Sequence, residues 1–157
     1  MFARSETRRF GVVLGTLVLA LSALSALAAG CGNKNTSPTP VLTTETFSGT
    51  VAVQGTSNQN FTVNYQLGYS DAAVKVTALK TVANGTDVNK TIGIGFGTIA
   101  FDGGCSRSAT YTATAATLNQ LLTASGVFYG GTQFCVQVFD AGTLTEPVTY
   151  TIEVQHY

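Results

Sequence analysis

The chain has 157 residues, of which 45% are hydrophobic and 10% are charged, and its formal net charge is zero. This length predicts one domain. From residue 31 onward, five scattered bases stand against seven acids, which gives a net charge of −2. A weakly acidic chain without a cluster of Lys and Arg has no electrostatic footprint for nucleic acid, so this class of partner is excluded.

The N-terminus has the three parts of a secretory signal. A basic segment, 1–10, precedes an apolar run over residues 11–27, and Ala28-Ala29-Gly30 supplies the small residues at which such signals are cleaved. Residues 1–30 are therefore predicted to be a signal peptide. The apolar stretch 11–30 is also long enough to span a bilayer, so a retained signal anchor is an alternative. Conventional cleavage after Ala28 is a second alternative.

The sequence Ala28-Ala29-Gly30-Cys31 resembles a bacterial lipobox, in which small residues precede an obligatory cysteine. The resemblance implies that the Cys31 thiol is diacylated and that cleavage makes Cys31 the new N-terminus. It departs from the usual motif in one respect, because leucine is favoured three residues before the cysteine and here Leu27 stands four residues before it. Two acyl chains give a stable membrane anchor, whereas one chain binds only marginally.

Residues 32–42 have the composition of a flexible linker, since they are largely polar and rich in turn formers. As a flexible coil this segment reaches about 18 Å, enough to lift a small domain clear of lipid headgroups. Together with the lipobox it predicts a protein of the bacterial cell envelope, held on a membrane by lipid and facing the periplasm or the exterior.

The chain has three cysteines, so one is left over if two of them form a disulfide. If Cys31 carries lipid, Cys105 and Cys135 remain as an even pair whose bond would close a loop of 31 residues. Two buried free thiols are the alternative. A metal site has less support, because there is no CxxC and the only histidine, His156, has no cysteine or histidine near it in sequence. We expect no metal and no other cofactor.

From residue 43 onward the pattern is typical of β-structure. Apolar residues alternate with polar ones in short runs, and Gly, Asn, Asp and Pro separate the runs, which predicts an antiparallel sandwich or barrel. The predicted inward positions are Phe47, Val51, Val53, Phe61, Val63, Tyr65, Leu67, Tyr69, Val74, Val76, Ala78, Ile92, Ile94, Phe96, Phe134, Val136, Val138, Val148, Tyr150, Ile152 and Val154.

Residues 115–125 are ambiguous. Leu118, Leu121 and Leu122 have the spacing of a helix face, but the neighbouring threonines and the all-β context favour a strand. In the run IGIGFG, the glycines lack the spacing of a dinucleotide-binding loop. They are expected to permit close packing or a bend in a strand.

The last 24 residues, FCVQVFDAGTLTEPVTYTIEVQHY, resemble the final hairpin of bacterial pre-peptidase C-terminal-like domains. Residues 91–105, TIGIGFGTIAFDGGC, are similar to a segment of the lipoprotein members, in which a glycine-alternating strand is followed by a turn and a cysteine. The resemblance covers residues 43–157 and rests on the spacing of aromatic residues and glycines. It implies an all-β, antiparallel jelly-roll-like β-sandwich after the signal helix and the linker, with Cys105 paired to Cys135. It also implies an exported accessory domain.

Few residues are candidates for catalysis. His156 continues the inward period of the last strand, and a partly buried or fraying terminal histidine is the simpler interpretation. Asp102 and Asp140 each stand in a Gly-containing turn, where Asp commonly accepts local backbone hydrogen bonds. A pair of catalytic carboxylates or a Ca²⁺ site are the alternatives for these two residues. We therefore expect that the protein is not an enzyme.

Three hypotheses for function remain. The domain could contact another envelope protein through exposed strand edges or through the turn at Phe128 and Tyr129. It could instead bind carbohydrate, although the chain has no tryptophan. It could also be a passive spacer. The aromatic residues left for a carbohydrate site, once the predicted core is assigned, are Tyr111, Phe128, Tyr129, Phe139 and Tyr157.

Overall fold

The structure, a computed structural model, describes residues 40–64 and 68–157. The predicted signal helix, Cys31 and the linker as far as residue 39 lie outside the described residues, as do Tyr65 and Leu67 of the predicted inward set. Within the described ranges, no helix is long and apolar enough to cross a membrane.

In the described part of the chain, eight antiparallel strands form two sheets of four strands each. The strands are β1 (Thr43–Val51), β2 (Thr56–Val63), β3 (Tyr69–Thr81), β4 (Ile92–Ile99), β5 (Cys105–Ala116), β6 (Leu121–Tyr129), β7 (Thr132–Phe139) and β8 (Val148–His156). We call sheet A the one with strand order β1-β8-β3-β6 and sheet B the one with strand order β2-β7-β4-β5. This order is that of an eight-stranded jelly roll. The expected antiparallel jelly-roll-like β-sandwich is confirmed.

Alternation of buried and half-buried residues builds the core from both sheets. In β8, Val148, Tyr150, Ile152 and Val154 are buried as predicted, and every residue between them faces outward. The predicted inward residues of β4 and β7 are also buried. The strand that the sequence favours over a helix in residues 115–125 is confirmed, since β5 runs to Ala116 and β6 begins at Leu121.

Two predicted inward positions are wrong because the alternation breaks locally. Val53 is 43% exposed, since β1 has already ended and the chain turns through Gln54, whose φ is +58°. Ala78 is not part of the core, because a bulge after Val76 shifts the alternation by one residue. Leu79 is buried in its place.

A third prediction is wrong in its connectivity. Alternation places Tyr69 on the same strand as Phe61, but β2 ends at Val63 and Tyr69 begins β3 in the other sheet. Gly68 lies just before Tyr69 with a φ of +113°, a conformation that favours glycine. The chain therefore crosses from sheet B to sheet A at a point where the sequence pattern continues unbroken.

The glycines of β4 allow β5 to fold over the outer face of sheet B. A side chain at Gly97 would collide with the backbone of Ser106, and one at Gly93 would overlap the ring of Phe139. The Arg107 guanidinium lies 3.8 Å from the centre of that ring. The glycines thus permit close packing, which is one of the two roles expected from the sequence.

A disulfide between Cys105 and Cys135 fixes this arrangement. It joins the first residue of β5 to β7 across β4, with 5.8 Å between the two Cα atoms. Cys135 is fully buried beneath the start of β5. The pairing that the resemblance implies is therefore present, and the alternative of two free thiols is wrong. Strand β5 itself has no counterpart among the predicted strands, because its sequence lacks apolar alternation.

Replacement of both Cys105 and Cys135 by alanine is expected to lower the free energy of unfolding by about 3–4 kcal/mol, because the crosslink closes a loop of 31 residues. Urea-induced unfolding of the parent and the double variant measures the difference. Cys31→Ala, which leaves the disulfide in place, is the control and should unfold at the parent's urea concentration. Equal stability of the parent and the double variant would contradict the expectation.

Candidate functional site

A pocket of about 170 Å³ opens between the edge strands β5 and β6, where the two sheets meet. We call it the edge pocket. Its buried floor is made by Phe96, Phe128 and Phe134. Its more exposed wall and rim are made by Thr98, Ser106, Ser108, Tyr111 and Val127, and Gly97 completes the lining.

A wide bulge in β5 forms one side of the edge pocket. Gly97 of β4 pairs with Arg107, whereas Gly95 pairs with Thr112, so the four residues 108–111 lie opposite a single residue of β4. The Thr112 hydroxyl donates a hydrogen bond of 2.6 Å to the carbonyl of Ser108 and holds the bulge closed. Two residues of the bulge, Ser108 and Tyr111, line the pocket.

A second bulge, in β6, forms the opposite side. Ala124 and Phe128 pair with residues of β3 that are only two positions apart, so residues 125–127 lie opposite Asp71. Gly126 has a φ of +70°, and its N–H donates a 2.8 Å hydrogen bond to the Asp71 carboxylate. Bulges occur preferentially at sheet edges and next to functional sites, and they interrupt the ladder that a further strand would need.

The lining of the edge pocket carries no charged side chain. Its polar groups are the hydroxyls of Thr98, Ser106, Ser108 and Tyr111. Arg107 lies between two lining residues, but its guanidinium projects over Phe139 and donates a 3.1 Å hydrogen bond to the Gln137 side chain. An apolar cavity of about 150 Å³ accommodates benzene. The edge pocket therefore fits one uncharged ring or one branched aliphatic group.

The aromatic residues singled out in the sequence take different places. Phe128 is only 2% exposed, lies within β6 rather than in a turn, and forms part of the pocket floor, so its predicted place in a contact turn is wrong. Tyr129 is half exposed, with its ring 5.7 Å from that of Phe134. Phe139 is covered by Arg107. Among the described side chains, the aromatic ones that are at least half exposed are Phe101 and Tyr129, and both are at turns rather than on a sheet face.

His156 serves to join strands. Its side chain is fully buried, and its Nε2 lies 2.8 Å from Oε1 of Glu45 on β1. Its Nδ1 lies 3.4 Å from the Tyr157 carbonyl oxygen, and its ring is 5.2 Å from that of Phe61. Both ring nitrogens are thus occupied within the fold. The histidine ties the end of β8 to an inward-facing carboxylate on the edge strand beside it.

Asp102 and Asp140 are not brought together. Asp102 lies in the β4–β5 turn and accepts a 2.9 Å hydrogen bond from Gly104 N–H. Asp140 lies after β7, at the opposite end of the sandwich, where it is bonded to the turn that follows β1. Within residues 40–64 and 68–157, no three His, Cys, Asp or Glu side chains form a group that could hold a metal ion.

Asp140 organises the loop between β7 and β8. One carboxylate oxygen accepts a 2.9 Å hydrogen bond from Gln54 N–H, and the other accepts bonds from the N–H groups of Gly142, Thr143 and Leu144 at 2.8–3.1 Å. The Gln54 N–H is the largest of the influences that hold the pKa of Asp140 below its ordinary value of 3.8. The three loop N–H groups act in the same direction, while burial opposes them.

The sequence gives little sign of the edge pocket. Only Tyr111 and Phe128 of its lining are among the candidate binding residues, and the hydroxyl residues of β5 lie in a run without apolar alternation. The one local signal is Gly126, which stands inside a predicted strand, since an isolated glycine in a strand suggests a bulge.

Cys31, the predicted lipidation site, lies outside the described residues. Comparison of the sequence with models of known protein families and with curated proteins finds no match.

Replacement of Asp140 by alanine is expected to destabilise the fold by about 2 kcal/mol at pH 7, because four backbone N–H groups lose a charged acceptor. Since the pKa of Asp140 is lowered by folding, its contribution is complete above the unfolded-state pKa of about 3.8 and is lost as the pH falls through the folded-state pKa. The difference between parent and variant should therefore shrink below about pH 4.

Urea titrations from pH 7 downward measure this difference. Asp102→Ala is a matched control, since this carboxylate also sits in a glycine turn but is seen to accept only the Gly104 N–H, and we expect a smaller loss. A loss for Asp140→Ala that stays constant down to the lowest pH would contradict the assignment of its charge as the source of the stabilisation.

Proposed function

We propose that the protein is a non-catalytic, lipid-anchored protein of the bacterial envelope whose β-sandwich binds another envelope protein. The observation that supports this best is the edge pocket, which has an uncharged aromatic floor and opens between two bulged edge strands. Interfaces between proteins are dominated by a few side chains that fill well-packed pockets. The size of the edge pocket suits one such anchoring side chain from a partner, either aromatic or branched aliphatic.

Contact through a pocket fits these edges better than addition of a strand. An extended partner would need a regular row of backbone donors and acceptors along β5 or β6. Both strands bulge at the level of the pocket, over residues 108–111 and 125–127, so that row is interrupted. We therefore propose that the protein partner inserts a side chain into the edge pocket and does not pair its backbone with β5 or β6.

The arrangement of titratable groups supports a non-catalytic role. His156 is buried with both ring nitrogens engaged, and the Asp102 and Asp140 carboxylates accept hydrogen bonds from backbone N–H groups in separate turns. Each of these groups has a structural task at the place where it lies. We propose that the edge pocket is the surface with which this domain binds its protein partner.

The proposed anchor is consistent with the cysteine pairing. Because Cys105 and Cys135 are joined, Cys31 has no other cysteine in the chain with which to pair. Cys31 also stands where a lipobox places its acylated cysteine, directly after small residues and between an apolar segment and a polar linker. The resemblance to pre-peptidase C-terminal-like domains of lipoproteins supports the same proposal, that of an accessory domain on a lipid tether.

Filling the edge pocket is expected to abolish partner binding. A photo-crosslinking amino acid at the exposed rim residue Thr98 should give one dominant crosslinked species in intact cells. Ser108→Leu, which places a larger side chain in the pocket, should lower the yield at least about tenfold, as loss of a central anchor does. Thr110→Leu is the matched control, since it lies in the same bulge but does not line the pocket. Equal yields from both variants would contradict the proposed site.

The mass of the protein purified from its native membrane tests the anchor. We expect a chain that begins at Cys31 and carries acyl groups, with two thiols that become alkylated only after reduction. Cys31→Ala should leave an unprocessed precursor without acyl mass. An unmodified chain that begins at Ala29, or one that retains residues 1–30, would show that Cys31 is not a lipid attachment site.

A further inference from the structure

One end of the sandwich receives the chain from the linker. We call it the linker end. Each of the eight strands has one end there, and the strand ends face each other in pairs across neighbouring strands. The paired residues are Thr43 with His156, Val63 with Thr132, Tyr69 with Tyr129, and Ile99 with Cys105. The tight turns at residues 100–104 and 130–131 therefore lie at the same end as Pro40, the first described residue.

Large apolar side chains are exposed at the linker end. Phe101 is fully exposed in the turn between β4 and β5, and Tyr129 is half exposed at the end of β6. Val41 and Leu42, which lead into β1, are 75% and 53% exposed. One exposed apolar side chain would need no explanation, but several large ones at the same end of a domain are typical of a contact site.

The turn that carries Phe101 is well ordered by hydrogen bonds. Ala100 N–H donates to the Gly104 carbonyl at 2.8 Å, and Gly103 N–H donates to the Ala100 carbonyl at 2.9 Å. The disulfide at Cys105 follows directly. Phe101 is thus presented on a preorganised tip, so that burying its ring requires little further ordering of the chain.

The charges at the linker end are acidic or already paired. Asp102 stands beside Phe101, and Glu45 is engaged with His156. None of the four described bases is at this end, because Lys80 and Lys90 lie toward the other end, Lys75 pairs with Glu153 in mid-strand and Arg107 extends toward Phe139. A contact made here would depend on apolar burial and would not be strengthened by anionic lipid.

We infer that the linker end rests on the phospholipid bilayer, with the Phe101 ring inserted at the boundary between headgroups and acyl chains. This inference depends on the proposed lipid anchor. A diacylated Cys31 is followed by a linker of 11 residues, whose root-mean-square length as a flexible coil is about 18 Å and whose full extension is about 37 Å, so the domain stays close to the lipid surface. Tethering raises the effective concentration of the bilayer around the tip, and a weak insertion then becomes well populated.

The shape of the tip favours lipid over a protein partner. Phe101 projects from a convex turn, and its entire side chain is exposed rather than packed among neighbours as in the core of a protein interface. A fluid interface accepts such a projection without a complementary groove. The neighbouring Asp102 carboxylate, bonded to Gly104 N–H, would remain among the headgroups and limit how deeply the turn enters.

Tryptophan fluorescence can test this inference directly, because the chain contains no tryptophan. The full lipidated protein carrying Phe101→Trp is reconstituted into phosphatidylcholine vesicles, with or without bromine on the acyl chains. Bromine quenches only a ring that reaches the acyl boundary, and we expect emission to fall at least about twofold. Val82→Trp is the control, since Val82 is an exposed apolar residue, about half accessible, at the opposite end of the sandwich, and its emission should be unchanged.

Flotation of the vesicles separates the two proposals. If both variants float and Phe101→Trp is not quenched, the anchor stands and the membrane contact is overturned. If the emission of Phe101→Trp responds only to added envelope proteins, the tip belongs to a protein interface and the inference is again overturned. If neither variant floats, the proposed anchor is wrong and the inference falls with it. Flotation with selective quenching of Phe101→Trp supports both.

Discussion

The packing of Phe128 against the phenylalanines of the opposite sheet holds the two sheets together on the side where the edge strands β5 and β6 meet. Phe128 belongs to β6 in sheet A, and its ring lies 4.8–5.8 Å from those of Phe61, Phe96 and Phe134 in sheet B. Edge-to-face contacts of this kind add to the stabilisation from apolar burial. Because the two bulged strands have only a few contacts with each other at this side, the ring of Phe128 both closes the core and provides the floor of the edge pocket.

The polar residues of the domain serve mainly to hold loops and edges in place. Carboxylates at Asp71, Asp102 and Asp140 each accept backbone N–H groups in turns or bulges. On the other side of the sandwich, where the edge strands β1 and β2 lie, the Tyr150 hydroxyl joins the two sheets through hydrogen bonds with Ser57 and Gln59 of β2. Among the described residues, no buried side-chain oxygen or nitrogen lacks a hydrogen-bond partner. Polar groups engaged in this way rigidify the loops and edges of the scaffold.

Sequence reasoning succeeded where period-two alternation reflects burial and failed where backbone geometry changes. The alternation of β8 and the glycine face of β4 are both direct consequences of the pleat, so both could be predicted from the residues alone. The shift at Ala78 could not, because a bulge leaves the composition of β3 unchanged. Phe128 was expected in a turn, and its inward orientation could not be predicted because it depends on the register of β6 against β3. The edge pocket depends on two such irregularities, on the consecutive strands β5 and β6, which lie at the edges of different sheets.

The disulfide holds the two proposed contact regions of the domain in place. Cys105 lies between the turn that presents Phe101 and Ser106 on the rim of the edge pocket. The bond to Cys135 therefore fixes the position of both features with respect to β7. Disulfides persist in oxidising compartments and are rare in the cytoplasm. Under the proposed export to the envelope, a newly made chain would lack this restraint until it leaves the cytoplasm, so the proposed contact surfaces would take their final form only in the compartment in which they are used.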